Sequence, residues 1–160
     1  MNVELMNLSD QVACILKKSD HTVAVSESSS GGLISAHLLA IPGASKYFIG
    51  SVVLYTRTAS EAFINVTDQD LFGIRSATEE YALLNARKVK SLLGTTWGIA
   101  ETGASGPKGN SYGDPPGHSC IAISGPVEKT ITISTNNSDR KMNMIDFAKK
   151  GLEEFISVIS

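Results

Sequence analysis

Two short stretches hold residues whose types and spacing suit chemistry. The first, Glu27-Ser28-Ser29-Ser30-Gly31-Gly32, sets three consecutive hydroxyls ahead of two glycines. A helix starting there leaves N–H groups unpaired at its first turn, which attract a phosphate or carboxylate, and the hydroxyls add hydrogen bonds. The second, Gly103-Ala104-Ser105-Gly106-Pro107-Lys108-Gly109-Asn110, has small residues and one cation, suited to an opposite wall. Each also has a plainer reading: one serine caps a helix while the glycines turn the chain, and the second stretch is an ordinary connection. Three adjacent hydroxyls exceed what a cap requires. A Ser-His-Asp triad is unsupported, since GxSxG is absent and no histidine has an evident pairing with the serines. His37 sits on a helix, packing or facing water, and His21 and His118 stand at strand entries in structural roles.

The elements that position these stretches follow from hydrophobic spacing. Leu5, Leu8, Val12, Ile15 and Leu16 give an amphipathic helix from about Val3 to Lys18. Thr22 to Glu27 is short, β-branched and apolar, as a buried strand would be, and it feeds the serine turn directly. Leu33, Ile34, Leu38 and Ile41 share one face of a second helix that Pro42-Gly43 closes. Lys46 to Thr56 reads as a strand near the middle of the sheet. Ala59 to Ile64 and Asp68 to Phe72 read as short helices, and Thr78-Glu79-Glu80 opens a longer one that Gly94 ends. A strand from Thr96 to Thr102 runs into a loop, Gly103 to Gly117, whose five glycines and three prolines mark it as too flexible and polar for core. His118 to Ser124 and Lys129 to Ser134 form an antiparallel hairpin, and Asp139 to Ile159 the last helix. Helices and strands alternate and a hairpin comes late, which predicts an α/β fold: a three-layer α/β/α sandwich with a mixed sheet, one domain over residues 1–160. In such sheets ligands gather at the carboxyl ends of strands, where both stretches fall.

Composition narrows the function. With 42% apolar residues in 160, the chain buries a core without staples. A net charge of -2 offers no basic field for nucleic acid, so no nucleic-acid partner is expected. No run spans a bilayer and the start lacks the pattern of a signal peptide, so no membrane association and a cytoplasmic location are expected. Cys14 and Cys120 lie far apart without metal-ligand spacing, and both read as small buried hydrophobes.

The string VSESSSGG, then LISAHLLAIPGASKYFIGSVVLYT, then ETGASGP with a glycine-rich stretch, closely resembles in that order the C-terminal domain of the CinA competence/damage-inducible protein family. The family patterns are AESCTGG, PGAS, VxYSNxAK and SGIAGPxGG, and the likeness runs from the first helix to the last. The resemblance implies the same α/β/α fold, and a homo-oligomer. Stand-alone members include nicotinamide mononucleotide deamidases (PncC type), nicotinamide-nucleotide amidases that release ammonia and nicotinate mononucleotide without a metal or other cofactor. The family nucleophile falls on Ser28, and a tyrosine that helps position the site falls on Tyr55. A serine ahead of a helix start can attack an amide carbon while nearby N–H groups hold the oxyanion.

The chain departs from the pattern where a base is needed. The family lysine of YSNxAK is Ser60 here, Ser29 replaces the family cysteine, Gly117-His118-Ser119 stands for VGT, and the second arginine of GDRxxVR becomes Met144 while Arg140 is kept. Losing a positioned base costs roughly 10²-fold to 10⁴-fold in rate. Two readings follow. Ser28, Gly31, Gly32, Tyr55, Gly103, Gly106 and Pro107 favour an amide hydrolase with Lys108 as substitute base, since Arg57 stays protonated. The missing lysine favours a nucleotide-binding or regulatory module that has lost deamidation. In either, Ser29, Ser30, Gly31 and Gly32 are expected to donate to an anion or oxyanion. Tyr55 and Arg57 would line the pocket, and Gly103, Ala104, Ser105, Gly106 and Lys108 its far wall around a small nucleotide-like ligand. Asp139 and Arg140 read as readily as a structural pair as ligand contacts.

Overall fold

The structure, a computed structural model, describes residues 1–160. Helices α1 (Val3–Ser19), α2 (Leu33–Leu39), α3 (Arg57–Ile64), α4 (Glu79–Leu93) and α5 (Arg140–Ile159) surround strands β1 (Val23–Glu27), β2 (Phe48–Val53), β3 (Trp97–Ala104), β4 (His118–Ser124) and β5 (Glu128–Ser134). The sheet order is β2-β1-β3-β4-β5, with β1 parallel to β2 and β3 while β4 and β5 run antiparallel to their neighbours. Helices α1, α2 and α5 pack on one another over one face, and α4 covers the other with α3 against it. This is the expected three-layer mixed α/β architecture. No helix is long and apolar enough to cross a membrane.

Strand alternation decides what each layer receives. Val23, Val25, Ile99 and Ile123 point toward α1, α2 and α5, where they join Leu5, Leu16, Leu38, Leu152 and Phe155 in the main core. Ala100, Cys120 and Ala122 point the other way, onto Ala82 and Ala86 of α4. Small residues on both sides let α4 lie close to the sheet. By the same alternation Glu27 and Glu101 fall on the α2 side and Thr102 on the α4 side.

Local signals set the ends. Asn2, Thr56, Thr78 and Asp139 each accept an N–H of the first turn of α1, α3, α4 and α5, and Gly94 ends α4 at φ 62°. His37 is buried, its Nδ1 donating to Leu33 O and its Nε2 accepting the Asn2 amide.

Several expectations are corrected. β2 is an edge strand, not a central one; its aromatic and β-branched residues are half-buried alternately rather than covered on both faces. Asp68 to Phe72 makes turns instead of a helix: Thr67 and Asp70 exchange local hydrogen bonds, and Gly73 at φ 76° breaks the path. Strand β3 continues to Ala104, and Ala104, Ser105 and Gly106 are buried, so the first part of the glycine-rich loop belongs to the core. Cys14 is exposed, because it lies off the buried stripe Leu5, Ser9, Val12, Ala13 and Leu16 of α1.

Candidate functional site

The serine turn leaves the end of β1 and is tied down by two buried carboxylates. Glu27 Oε2 accepts the Gly32 and Ile34 amides, both at 3.0 Å, and the Ser30 hydroxyl at 2.7 Å. Its Oε1 accepts the Ser35 amide at 2.9 Å and the Ser35 hydroxyl. Glu101, from β3, takes the Ser28 amide at 3.2 Å and the Ser30 amide at 2.8 Å on Oε2; on Oε1 it takes the Ser29 hydroxyl and, at 2.9 Å, that of Ser119. The positive end of α2 is thus satisfied from within the protein. Ser30 and Gly32 therefore do not offer an external anion the donors expected of them, and of the Ser29 donors only the backbone amide is left without a protein acceptor. Gly31 is exposed, and its amide turns back to Ser28 O.

Ser28 differs from its neighbours. It is half-buried, its hydroxyl is tied to no protein group, and it lines a cavity of about 240 Å³. Leu54, Tyr55, Thr56 and Arg57, which follow β2, form one wall, and Ser76, Ala77 and Tyr81 a second. Thr102 and Gly103 at the end of β3, with Asn110 and Tyr112, complete it. The serine turn and the glycine-rich loop thus face each other across open space, as the carboxyl ends of parallel strands in such sheets favour. A second hollow of about 280 Å³ shares Arg57, Ser76, Tyr81 and Tyr112 with the first, extending it toward Leu71 and Ile74.

Charges around the cavity are mostly matched. Arg57 pairs with Glu61 at 2.7 Å and with Asp68, the first contact holding its guanidinium above the usual range. Arg75 forms a two-point pair with Asp114 and lies over the Tyr112 ring at 5.2 Å. This bond lowers the Asp114 carboxyl below the ordinary aspartate range. Asn110 folds the loop tip, its side chain accepting the Tyr112 and Asp114 amides and donating to Asp114. Arg140 at the rim donates to Gly106 O at 2.7 Å and to the Tyr55 hydroxyl at 3.0 Å, without a carboxylate partner. Asp139 and Arg140 do not pair with each other: Asp139 caps α5 while Arg140 reaches the other way.

The remaining sequence-selected residues fall elsewhere. Ala104, Ser105 and Gly106 lie outside the lining; Asn143 on α5 donates to Ser105 O. Gly106 holds φ 108°, and a Cβ there would stand 2.7 Å from Ser138 O, so only glycine fits. Lys108 is exposed and does not line the cavity. Ser60 is buried, its hydroxyl 3.0 Å from the Tyr81 hydroxyl and 3.3 Å from Thr56 O. Among the twelve lining residues there is no lysine, histidine, aspartate or glutamate.

The sequence profile described as the CinA C-terminal domain matches residues 5–159. The chain belongs to the CinA C-terminal domain family. A CinA-like protein of Desulfosudis oleivorans is 35% identical over 147 residues, covering 91% of this chain and 36% of its own length. A CinA-like protein of Gloeobacter violaceus is 36% identical over 121 residues, 76% of this chain and 28% of its own. The chain thus spans about a third or less of the length of the curated relatives it matches. Among solved structures, a competence or damage-inducible protein of Enterobacter asburiae superposes with a TM-score of 0.92 at 21% identity, covering 99% of this chain and 100% of its own. A competence/damage inducible protein of Agrobacterium tumefaciens gives 0.88 at 22%, covering 100% and 98%. At these identities the superpositions establish the CinA fold.

Sequence reasoning missed Tyr81, Tyr112, Arg75 and Glu101 of this CinA domain. Glu101 had a signal: a carboxylate inside the apolar strand Trp97-Gly98-Ile99-Ala100 needs buried donors, and serines supply them. The tyrosines had none, because a tyrosine on an amphipathic helix or a loop tip reads as ordinary packing or surface.

Proposed function

We propose that this CinA-family chain is a small-molecule binding module for a nucleotide-like carboxamide of the nicotinamide mononucleotide class, in which amide hydrolysis has been slowed. The observation that carries this reading is the makeup of the cavity around Ser28. Ser28 presents an unrestrained hydroxyl, as a nucleophile would, but no lining side chain is an amine, imidazole or carboxylate able to take its proton. Lys108 is outside, Arg57 stays protonated, and the family lysine position is a buried serine. The ligand would enter with its carboxamide toward Ser28 and its anionic end at the rim, where Arg140 is free of any carboxylate. Tyr55 and Tyr112 supply aromatic surface between the two ends.

Calorimetric titration with nicotinamide mononucleotide, together with ammonia release from wild type and Ser28→Ala, tests the reading. Binding in both proteins, with no ammonia above the Ser28→Ala background, is expected. Release at rates of a working enzyme that disappears in Ser28→Ala overturns it in favour of the hydrolase, the reading that the free Ser28 hydroxyl favours.

A further inference from the structure

We propose that the cavity distinguishes the amide from the acid form of its ligand, accepting a carboxamide and rejecting the corresponding carboxylate, with Glu101 and Tyr81 setting the choice. The inference rests on the reading of this cavity as a carboxamide site.

Glu101 lies directly behind Ser28. Its Oε2 accepts two backbone N–H groups, which can only donate, and its Oε1 is within hydrogen-bond distance of two hydroxyls that can donate. That set suits an ionised carboxylate. Glu27, one residue before Ser28, has backbone donors on both oxygens. Every hydrogen-bond partner of the two is neutral, so neither carboxyl beneath the serine turn has a cation beside it. They also occupy the amides at the start of α2 that would otherwise greet an anion. A carboxylate docked on Ser28, on the order of 6 Å from the Glu101 charge at an effective dielectric constant near 20, is disfavoured by about 10²-fold.

Tyr81 adds a directional preference. Thr56 O can only accept, so the Ser60 hydroxyl donates to it and is left to accept from Tyr81. The Tyr81 oxygen then turns lone pairs toward the cavity, where a carboxamide NH₂ can donate and a carboxylate cannot. Of the lining side chains that carry N–H groups, Arg57 pairs with Glu61 and Asp68, and the Asn110 amide donates to Asp114.

Calorimetric titration compares nicotinamide mononucleotide with nicotinate mononucleotide, which differ only in this group, and nicotinamide with nicotinate. The amide is expected to bind about 10²-fold more tightly in each pair. Glu101→Gln keeps its oxygen toward the Ser28 and Ser30 amides and its NH₂ toward hydroxyls that rotate to accept, and it should narrow the ratio to about tenfold or less. Tyr81→Phe should weaken the amide and leave the acid unchanged, and it carries the test if Glu101→Gln does not fold. Equal or tighter binding of the acid, or a ratio unmoved by both substitutions, overturns the inference. If neither mononucleotide binds, the proposed nucleotide function fails by itself: preference for nicotinamide over nicotinate still sustains the inference, and no binding of either overturns it.

Discussion

Arg75 and Asp114 form a two-point ion pair, Nη1 to Oδ2 at 2.7 Å and Nη2 to Oδ1 at 3.1 Å, that joins the segment before α4 to the glycine-rich loop. Each side contributes cavity wall, Ser76 and Ala77 from one and Asn110 and Tyr112 from the other. Arg75→Ala should change stability little, because the arginine is solvent-exposed. Ligand affinity should fall further, by about tenfold, as two walls lose their common anchor. Chemical denaturation and calorimetry on the same variant separate the two effects.

The two buried glutamates should respond differently to loss of charge. In Glu27→Gln either orientation of the amide sets its NH₂ against a backbone N–H, since Gly32 and Ile34 donate to one oxygen and Ser35 to the other. In Glu101→Gln one side meets only the Ser29 and Ser119 hydroxyls, which can turn. Urea unfolding should show Glu27→Gln losing about 3 kcal/mol or more and Glu101→Gln about 1 kcal/mol. Equal losses would contradict the hydrogen-bond assignment.

Ser60→Lys restores the family lysine beside Tyr81. The new amine should raise ammonia release from nicotinamide mononucleotide by about 10²-fold or more, and adding Ser28→Ala should abolish the gain. Burying a longer side chain at Ser60 should lower the melting temperature, at a cost of about 1–3 kcal/mol. An ammonia assay on the two variants checks both serines at once.

Acid should loosen the segment after α3. The Lys88 ammonium, with help from Thr67, holds the Asp70 carboxyl down at about 2 from an ordinary 3.8. A depressed carboxyl contributes its stability fully above the ordinary value and loses it as pH falls through the folded one. Melting curves of wild type and Asp70→Asn should therefore differ at neutral pH and converge between about pH 4 and pH 2.

Much of this was legible in the sequence. The spacing of Leu5, Val12 and Leu16, the caps at Thr78 and Asp139, and Gly94 located elements to within a residue or two, because each is a local device. Ser28, Tyr55, Arg57 and Gly103 line one cavity, since the carboxyl ends of the parallel strands β1, β2 and β3 converge there. What failed was long-range. Nothing near Ser29 announces that its partner is Glu101, 72 positions away, and nothing in Phe48–Val53 distinguishes an edge strand from a central one. Only its charge points to Lys108, but the Asn110–Asp114 turn folds the loop so that Asn110 and Tyr112, and not the lysine, reach the cavity.

Because Glu27 and Glu101 already answer the donors at the head of α2, that helix stands complete without a guest. Ser28, whose hydroxyl faces the hollow, is thereby released from any duty in holding that helix in place. Over evolutionary time such a chamber can exchange one occupant for another, or give up a reaction, while the walls behind it stay as they are.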